Sequence, residues 1–301
     1  MVPIPCAPYV AWSHDSLQPQ QPAGNPPQPG GPPQHVEPVA EMSSRPELHT
    51  FADAQDLVVA AADLFVQLGQ RAIAERNRFL VALSGGSTPK ALYAALTRPH
   101  IAQHLDWRKV HFFFGDERGV PPTHAESNFG LAQAMLFHPL HIPSSLIHRM
   151  RGEDPPESAA IDYERTLRRI AAPVTGQWPV LDLILLGMGD DGHTASLFPD
   201  TPAVTDTIRW VVPGYAPQGT RSRITITLGV INHASVVLFL IAGRNKAVVV
   251  QRILERSADD PSPYPAALVR PEHGRLLWYL DRAAASELTI APQHLTSRED
   301  P

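Results

Sequence analysis

The chain has 301 residues, 43% of them hydrophobic, and a formal net charge of -5. No apolar run approaches the roughly 20 residues of a membrane span, and the lone Cys6 excludes an internal disulfide. The mild acidity argues against a nucleic-acid binder, which carries a basic balance, while the apolar content is ample for a core.

The 32 prolines are unevenly spread, with 11 in residues 1–40 beside only Asp15, Glu37 and no lysine or arginine. The centre of that stretch, PQQPAGNPPQPGGPPQ, cannot bury enough apolar area to offset the entropy of ordering it. The basic start and apolar stretch of a signal peptide are both missing. One reading is a polyproline ligand. The reading adopted is a disordered extension over residues 1–44, or a start at Met42, followed by a single α/β domain over residues 45–301.

Apolar residues at Leu57, Ala60, Ala61, Leu64, Phe65, Leu68 and Ile73 predict a helix over Ala52–Ala74. Phe79–Leu83 reads as a strand buried on both faces. A Gly/Ser turn and a helix over Pro89–Leu96 follow. Val110–Phe114 is a second buried strand. Helices are predicted around Asn128–Phe137 and over Glu157–Ala171. Leu181–Leu186, Trp210–Val212, Arg223–Leu228, Ser235–Ile241 and Leu276–Leu280 read as strands, with a helix over Asn245–Arg256. Strands alternating with helices predict an α/β fold, a mainly parallel twisted sheet with helices on both faces.

Four strands end in unusual loops: SGGSTP, GDER, GMGDDGH and AGRNK. Parallel strands place such loops at one edge, where α/β sheets bind ligands. In Ser84-Gly85-Gly86-Ser87-Thr88-Pro89 the glycines admit an anion close to backbone N–H groups, with Ser87 or Thr88 as helix cap and Pro89 in the first turn. This is not a Walker loop, because Gly-Lys-Ser/Thr is missing. In GDER, Asp116, Glu117 and Arg118 stand at the rim of an apolar core, where a plain surface ion pair is the competing reading. In GMGDDGH, His193 suits general-base work, its ordinary pKa being near ~6.5, and an adjacent carboxylate, Asp190 or Asp191, orients the imidazole. A metal site built from these three is discounted, because no other histidine or cysteine has ligand spacing. Lys246 is one of three lysines against 22 arginines. A cation in a helix's first turn opposes the dipole, which favours a candidate phosphate ligand over the competing reading, a solvated first-turn lysine. Arg223 is a second basic candidate.

Taken together, LSGGSTP, FFGDER, SNFGLAQ, LLGMGDDGHTASLFP, RITITL, GRNK and PAALVRP resemble the 6-phosphogluconolactonases of the glucosamine-6-phosphate deaminase/lactonase superfamily, over about residues 45–290. The resemblance implies a Rossmann-like fold and metal-independent hydrolysis of 6-phosphoglucono-1,5-lactone, without cofactor, in the pentose phosphate pathway. It implies His193 as general base beside Asp191, with Asp116 and Arg118 in the catalytic segment. It implies Ser84, Gly85, Gly86, Ser87, Thr88 and Lys246 as sugar- and phosphate-binding positions, with Arg223 a looser match. Deaminases of the superfamily read GHIAFNEP, and Phe198 stands where their glutamate would be. A sugar-phosphate sensor would need a DNA-binding segment that the proline-rich tail cannot supply. The expected partner is a small sugar-phosphate lactone, with no nucleic acid and no membrane. A cytoplasmic monomer is expected, with glucose-6-phosphate dehydrogenase as a candidate contact.

Overall fold

The computed structural model describes residues 46–172, 174, 177–256, 264–289 and, as backbone, 294–295. The proline-rich segment read as a disordered extension, together with Cys6 and Met42, lies outside the described residues.

In chain order the structure runs β1 (Glu47–Phe51), α1 (Ala54–Arg76), β2 (Phe79–Leu83), α2 (Ser87–Leu96), α3 (Pro99–Ala102), β3 (Val110–Phe114) and β4 (Asp116–Arg118). It continues with α4 (Asn128–Ala132), α5 (Pro156–Ile170), β5 (Leu183–Leu186), α6 (Pro202–Thr205), β6 (Val211–Tyr215) and β7 (Ser222–Ile226). Last come α7 (Leu228–Asn232), β8 (Val236–Ile241), α8 (Ala247–Leu254), β9 (Arg275–Asp281) and β10 (His294–Leu295).

Seven strands form one sheet in the order β10-β1-β9-β8-β5-β2-β3. Every neighbouring pair in it is parallel. The period of two along each strand divides the core. Phe79, Val81 and Leu83 of β2 face α1 and α2, while Leu80 and Ala82 face the side that carries α5, α7 and α8. Both faces are therefore covered, which is why β2, β5 and β8 read as continuous apolar runs and β3 is broken only by His111. Helix α1 is long and apolar enough to cross a membrane by length and composition. Here its Leu57, Val58, Ala61, Ala62 and Phe65 are buried in the core.

The sequence-based assignment needs four corrections. Trp210–Val212 and Arg223–Leu228 were expected in the main sheet, but β6 and β7 join β4 in a separate antiparallel sheet of order β4-β7-β6. GDER is not a loop, since Asp116–Arg118 is strand β4. The helix of 128–137 is α4 followed by a π-helical turn at Gln133–Phe137. Arg244–Lys246 is a 3-10 turn, and α8 begins only at Ala247. The sequence reading also omitted β1, whose ELHTF is held by parallel pairing with β9 and by the Arg275–Glu47 ion pair.

Edge strand β3 carries His111 near its amino end. Its Nδ1 lies 3.1 Å from Nε2 of His148, and the two rings are stacked. Burial, with Arg78 adding, pushes His111 below the ordinary imidazole value. Burial, then His111 and Arg169, pulls His148 down to about 4. The unfolded chain gains protons below about pH 6.5, whereas the folded pair resists. Stability is thus complete above about pH 6.5 and is lost as pH falls toward the folded value. Melting temperature should decline over that acid window, and His148→Gln should flatten the decline. Parallel profiles for the two proteins would remove the histidine pair from the account.

Candidate active site

Where β2 and β3 end, the backbone must leave the parallel ladder without stranding polar groups. Two buried tyrosines solve this in the same way. The Tyr93 hydroxyl of α2 accepts from the Ser84 N–H at 3.1 Å and donates to the Ser84 carbonyl at 2.6 Å. The Tyr163 hydroxyl of α5 accepts from the Phe114 N–H at 2.7 Å and donates to its carbonyl at 3.0 Å. Each unpaired buried group would cost about 1–3 kcal/mol. Burial raises both phenols far above their ordinary value, so both remain protonated donors.

Beyond Ser84 the chain enters α2 at Ser87, with Gly86 as N-cap at φ 108°. The expected cap by Ser87 or Thr88 is not formed, and no side chain caps this helix. A helix start without a side-chain cap leaves first-turn N–H groups for an anion. Ser84 to Thr88 line a cavity of about 300 Å³.

Strand β4 sorts its charges by alternation. Asp116 and Arg118 line that cavity, and Glu117 turns the other way. The Glu117 carboxylate is buried and accepts from the N–H groups of Arg118, Asn128 and Phe129 and from the Ser127 hydroxyl. Burial still pushes this carboxyl above its usual range, against those hydrogen bonds. Asp116 accepts from Ser196 Oγ at 2.6 Å and from Asn128 Nδ2 at 3.1 Å. Arg118 stands opposite Arg223 across the β4–β7 ladder. Neither guanidinium forms an ion pair with a carboxylate among the described residues. Burial, then the Arg118 charge, lowers Arg223 from its ordinary value. Two adjacent guanidiniums without an ion-pair partner favour an anion.

In GMGDDGH the Asp191 carboxylate lies 2.6 Å from His193 Nδ1 and accepts the His193 backbone N–H at 3.1 Å. Burial alone would raise Asp191, but these contacts outweigh it and hold the carboxyl below its usual range. The partner of the imidazole is thus Asp191 and not Asp190. A Cβ on Gly189 would stand 2.1 Å from His193 Nδ1 and 2.5 Å from Asp191 Oδ1, so only glycine admits the pair. The Phe198 ring packs on the imidazole with centroids 4.4 Å apart. Asp190 instead pairs with Lys246 and accepts from Asn245 Nδ2 at 2.9 Å. Lys246, expected in a helix's first turn, instead precedes α8 and is partnered by a carboxylate from another loop.

The fold brings the candidates into two adjoining cavities. The first holds Ser84–Thr88, and the second, of about 550 Å³, holds Asp190, Asp191 and Arg223. Asp116, Arg118, His193 and Lys246 border both. Arg223 thus lines a different cavity from Ser84–Thr88, while Lys246 shares theirs. The sequence reading did not single out Asn128, Ser196, Tyr93 or Tyr163, which hold these groups in place. Inorganic phosphate should bind here, and Lys246→Met should weaken it about tenfold, equivalent to about 1.4 kcal/mol. Calorimetry checks this, and equal affinities would remove Lys246 from the anion site.

A family model described as glucosamine-6-phosphate isomerases/6-phosphogluconolactonase matches residues 52–278. The chain is similar to the 6-phosphogluconolactonase of Nostoc, at 42% identity over 81% of this chain and 98% of that one. It is similar to the human 6-phosphogluconolactonase at 41%, over 81% of this chain and 94% of that one. Among solved structures, 6-phosphogluconolactonase from Trypanosoma cruzi superposes with a TM-score of 0.72 at 31% identity, over 83% of this chain and all of that one. The loops that build the cavities fall within the matched residues, and the chain belongs to the glucosamine-6-phosphate isomerase/6-phosphogluconolactonase family.

Proposed function

We propose that the chain hydrolyses 6-phospho-D-glucono-1,5-lactone to 6-phospho-D-gluconate in the oxidative pentose phosphate pathway. The observation that carries this reading is the Asp191–His193 pair, whose imidazole borders the same cavity as an uncapped helix start and a lysine. The substrate phosphate binds at Ser84–Thr88 with Lys246, and Arg223 adds positive charge from the side. Anchoring that remote group holds the lactone carbonyl near His193 and turns an encounter into an intramolecular attack.

Asp191 fixes the imidazole by Nδ1, which leaves Nε2 to take a proton from water. The resulting hydroxide adds to the lactone carbonyl carbon. Arg118, with no carboxylate ion-pair partner among the described residues, balances the charge on the carbonyl oxygen. Asp116, held by Ser196 and Asn128, accepts from a sugar hydroxyl and sets the orientation of the ring. On collapse the ring C–O bond breaks, and its oxygen takes the proton back from His193. Phe198 supports this over amine chemistry, since an apolar ring on the imidazole has no proton to exchange. A monomeric, cytoplasmic working form and a contact with glucose-6-phosphate dehydrogenase extend the reading. Gel filtration and a pull-down with that dehydrogenase test them.

Freshly prepared lactone, coupled to 6-phosphogluconate dehydrogenase and corrected for spontaneous opening, tests the activity directly. His193→Ala should lower kcat by on the order of 10²–10⁴, and near-wild-type turnover would sink the general-base role. Gly189→Ala should lower kcat by on the order of 10²-fold, because its Cβ must push Asp191 and His193 apart. A folded Gly189→Ala protein with normal kcat would show that the pair's geometry does not matter.

A further inference from the structure

We propose that Asn128 is a positioning residue that couples the phosphate-binding loop to the Asp116 carboxylate. This rests on the reading that Ser84–Thr88 hold the substrate phosphate. Asn128 opens α4 and is only 2% exposed. Its backbone N–H donates to Glu117 at 2.7 Å, so the residue is pinned to β4 from behind. Its side-chain Nδ2 donates to the Asp116 carbonyl at 2.9 Å and to Asp116 Oδ1 at 3.1 Å. The other end of the same amide faces the loop. Oδ1 fills the space beside the Gly85 Cα so closely that a Cβ there would lie 1.9 Å from it.

One planar group therefore touches two residues that line the same cavity, Gly85 and Asp116. Its donor end fixes the carboxylate, and its acceptor end limits how near the loop comes. Planarity makes the two contacts interdependent, because the amide cannot turn toward one without leaving the other. A carboxylate of the same shape at position 128 would replace the donor with a charge repelled by Asp116. A methyl group on Gly85 would evict the amide from the loop side and take its donor from Asp116, leaving that carboxylate to Ser196.

The test is a double-mutant cycle on the full-length chain, with Asn128→Ala, Gly85→Ala and the pair, plus Asn128→Asp. The readouts are kcat and KM for the lactone, competitive inhibition by inorganic phosphate, and melting temperature. Asn128→Asp should lower kcat about 10–100-fold, with KM changed less than about threefold. Gly85→Ala should lower kcat although its substitution is on the loop. In the double variant the missing amide makes room for the methyl group, so the loss should equal the larger single loss. Single losses that multiply would overturn the coupling. So would a kcat within about twofold of wild type for Asn128→Asp. Lowered melting temperature with unchanged kcat per folded molecule would show a structural role only and also overturn it. If Asn128→Asp fails to fold, Asn128→Ser, which removes the amide without adding charge, replaces it with the same criteria. If the wild-type chain does not hydrolyse the lactone, the functional reading fails instead. The phosphate and melting cycles then decide the coupling, and additive losses in both refute it.

Discussion

Glu117 buries a carboxylate where β4 meets α4, and the site is arranged around that burial. A charge taken from water is costly unless its lone pairs are filled. Here three backbone N–H groups and the Ser127 hydroxyl fill them. The N–H groups of Asn128 and Phe129 belong to the first turn of α4, so the same contacts satisfy the helix start. With Glu117 committed inward, alternation turns Asp116 and Arg118 toward the cavity. Ser127 caps α4 at Gly130 while bonding Glu117, which locks the helix to the strand.

Local arrangement, and not total charge, governs the affinity for an anion. The chain is net negative. Yet an uncapped helix start, Lys246, Arg118 and Arg223 surround the cavities, and the nearby carboxylates are each engaged. Asp116 takes Ser196 and Asn128, Asp191 takes His193, and Asp190 takes Asn245 and Lys246. On the proposed reading, a substrate phosphate competes with Asp190 for the lysine. That exposed pair is worth at most about 1 kcal/mol, so the competition is mild.

Much of this was legible in the sequence. Phe79–Leu83 and Val110–Phe114 are bounded to the residue in the sequence, because a strand buried on both faces is an apolar run between polar punctuation, broken in the second only by His111. The convergence of distant loops followed from parallel strands alone. What was not legible depends on partners remote in the chain. Asp116–Arg118 is all charged and becomes a strand only through pairing with β7. Ser196 reaches Asp116 across 80 residues and Lys246 reaches Asp190 across 56. The α2 cap was misassigned to Ser87 or Thr88 because Gly86, at positive φ, turns the chain one residue earlier. His193 stands beside two acids in the sequence, and only the folded loop pairs its imidazole with Asp191 and not with Asp190.

The phenols of Tyr93 and Tyr163 hold only backbone atoms of Ser84 and Phe114. The points where the loops depart from the sheet are therefore set from the helices and do not depend on what the loops contain. Side chains past those points are free to change without moving the scaffold that presents them. A fold with its departure points fixed in this way can exchange one sugar-phosphate chemistry for another by substitution within the loops, while its core stays constant.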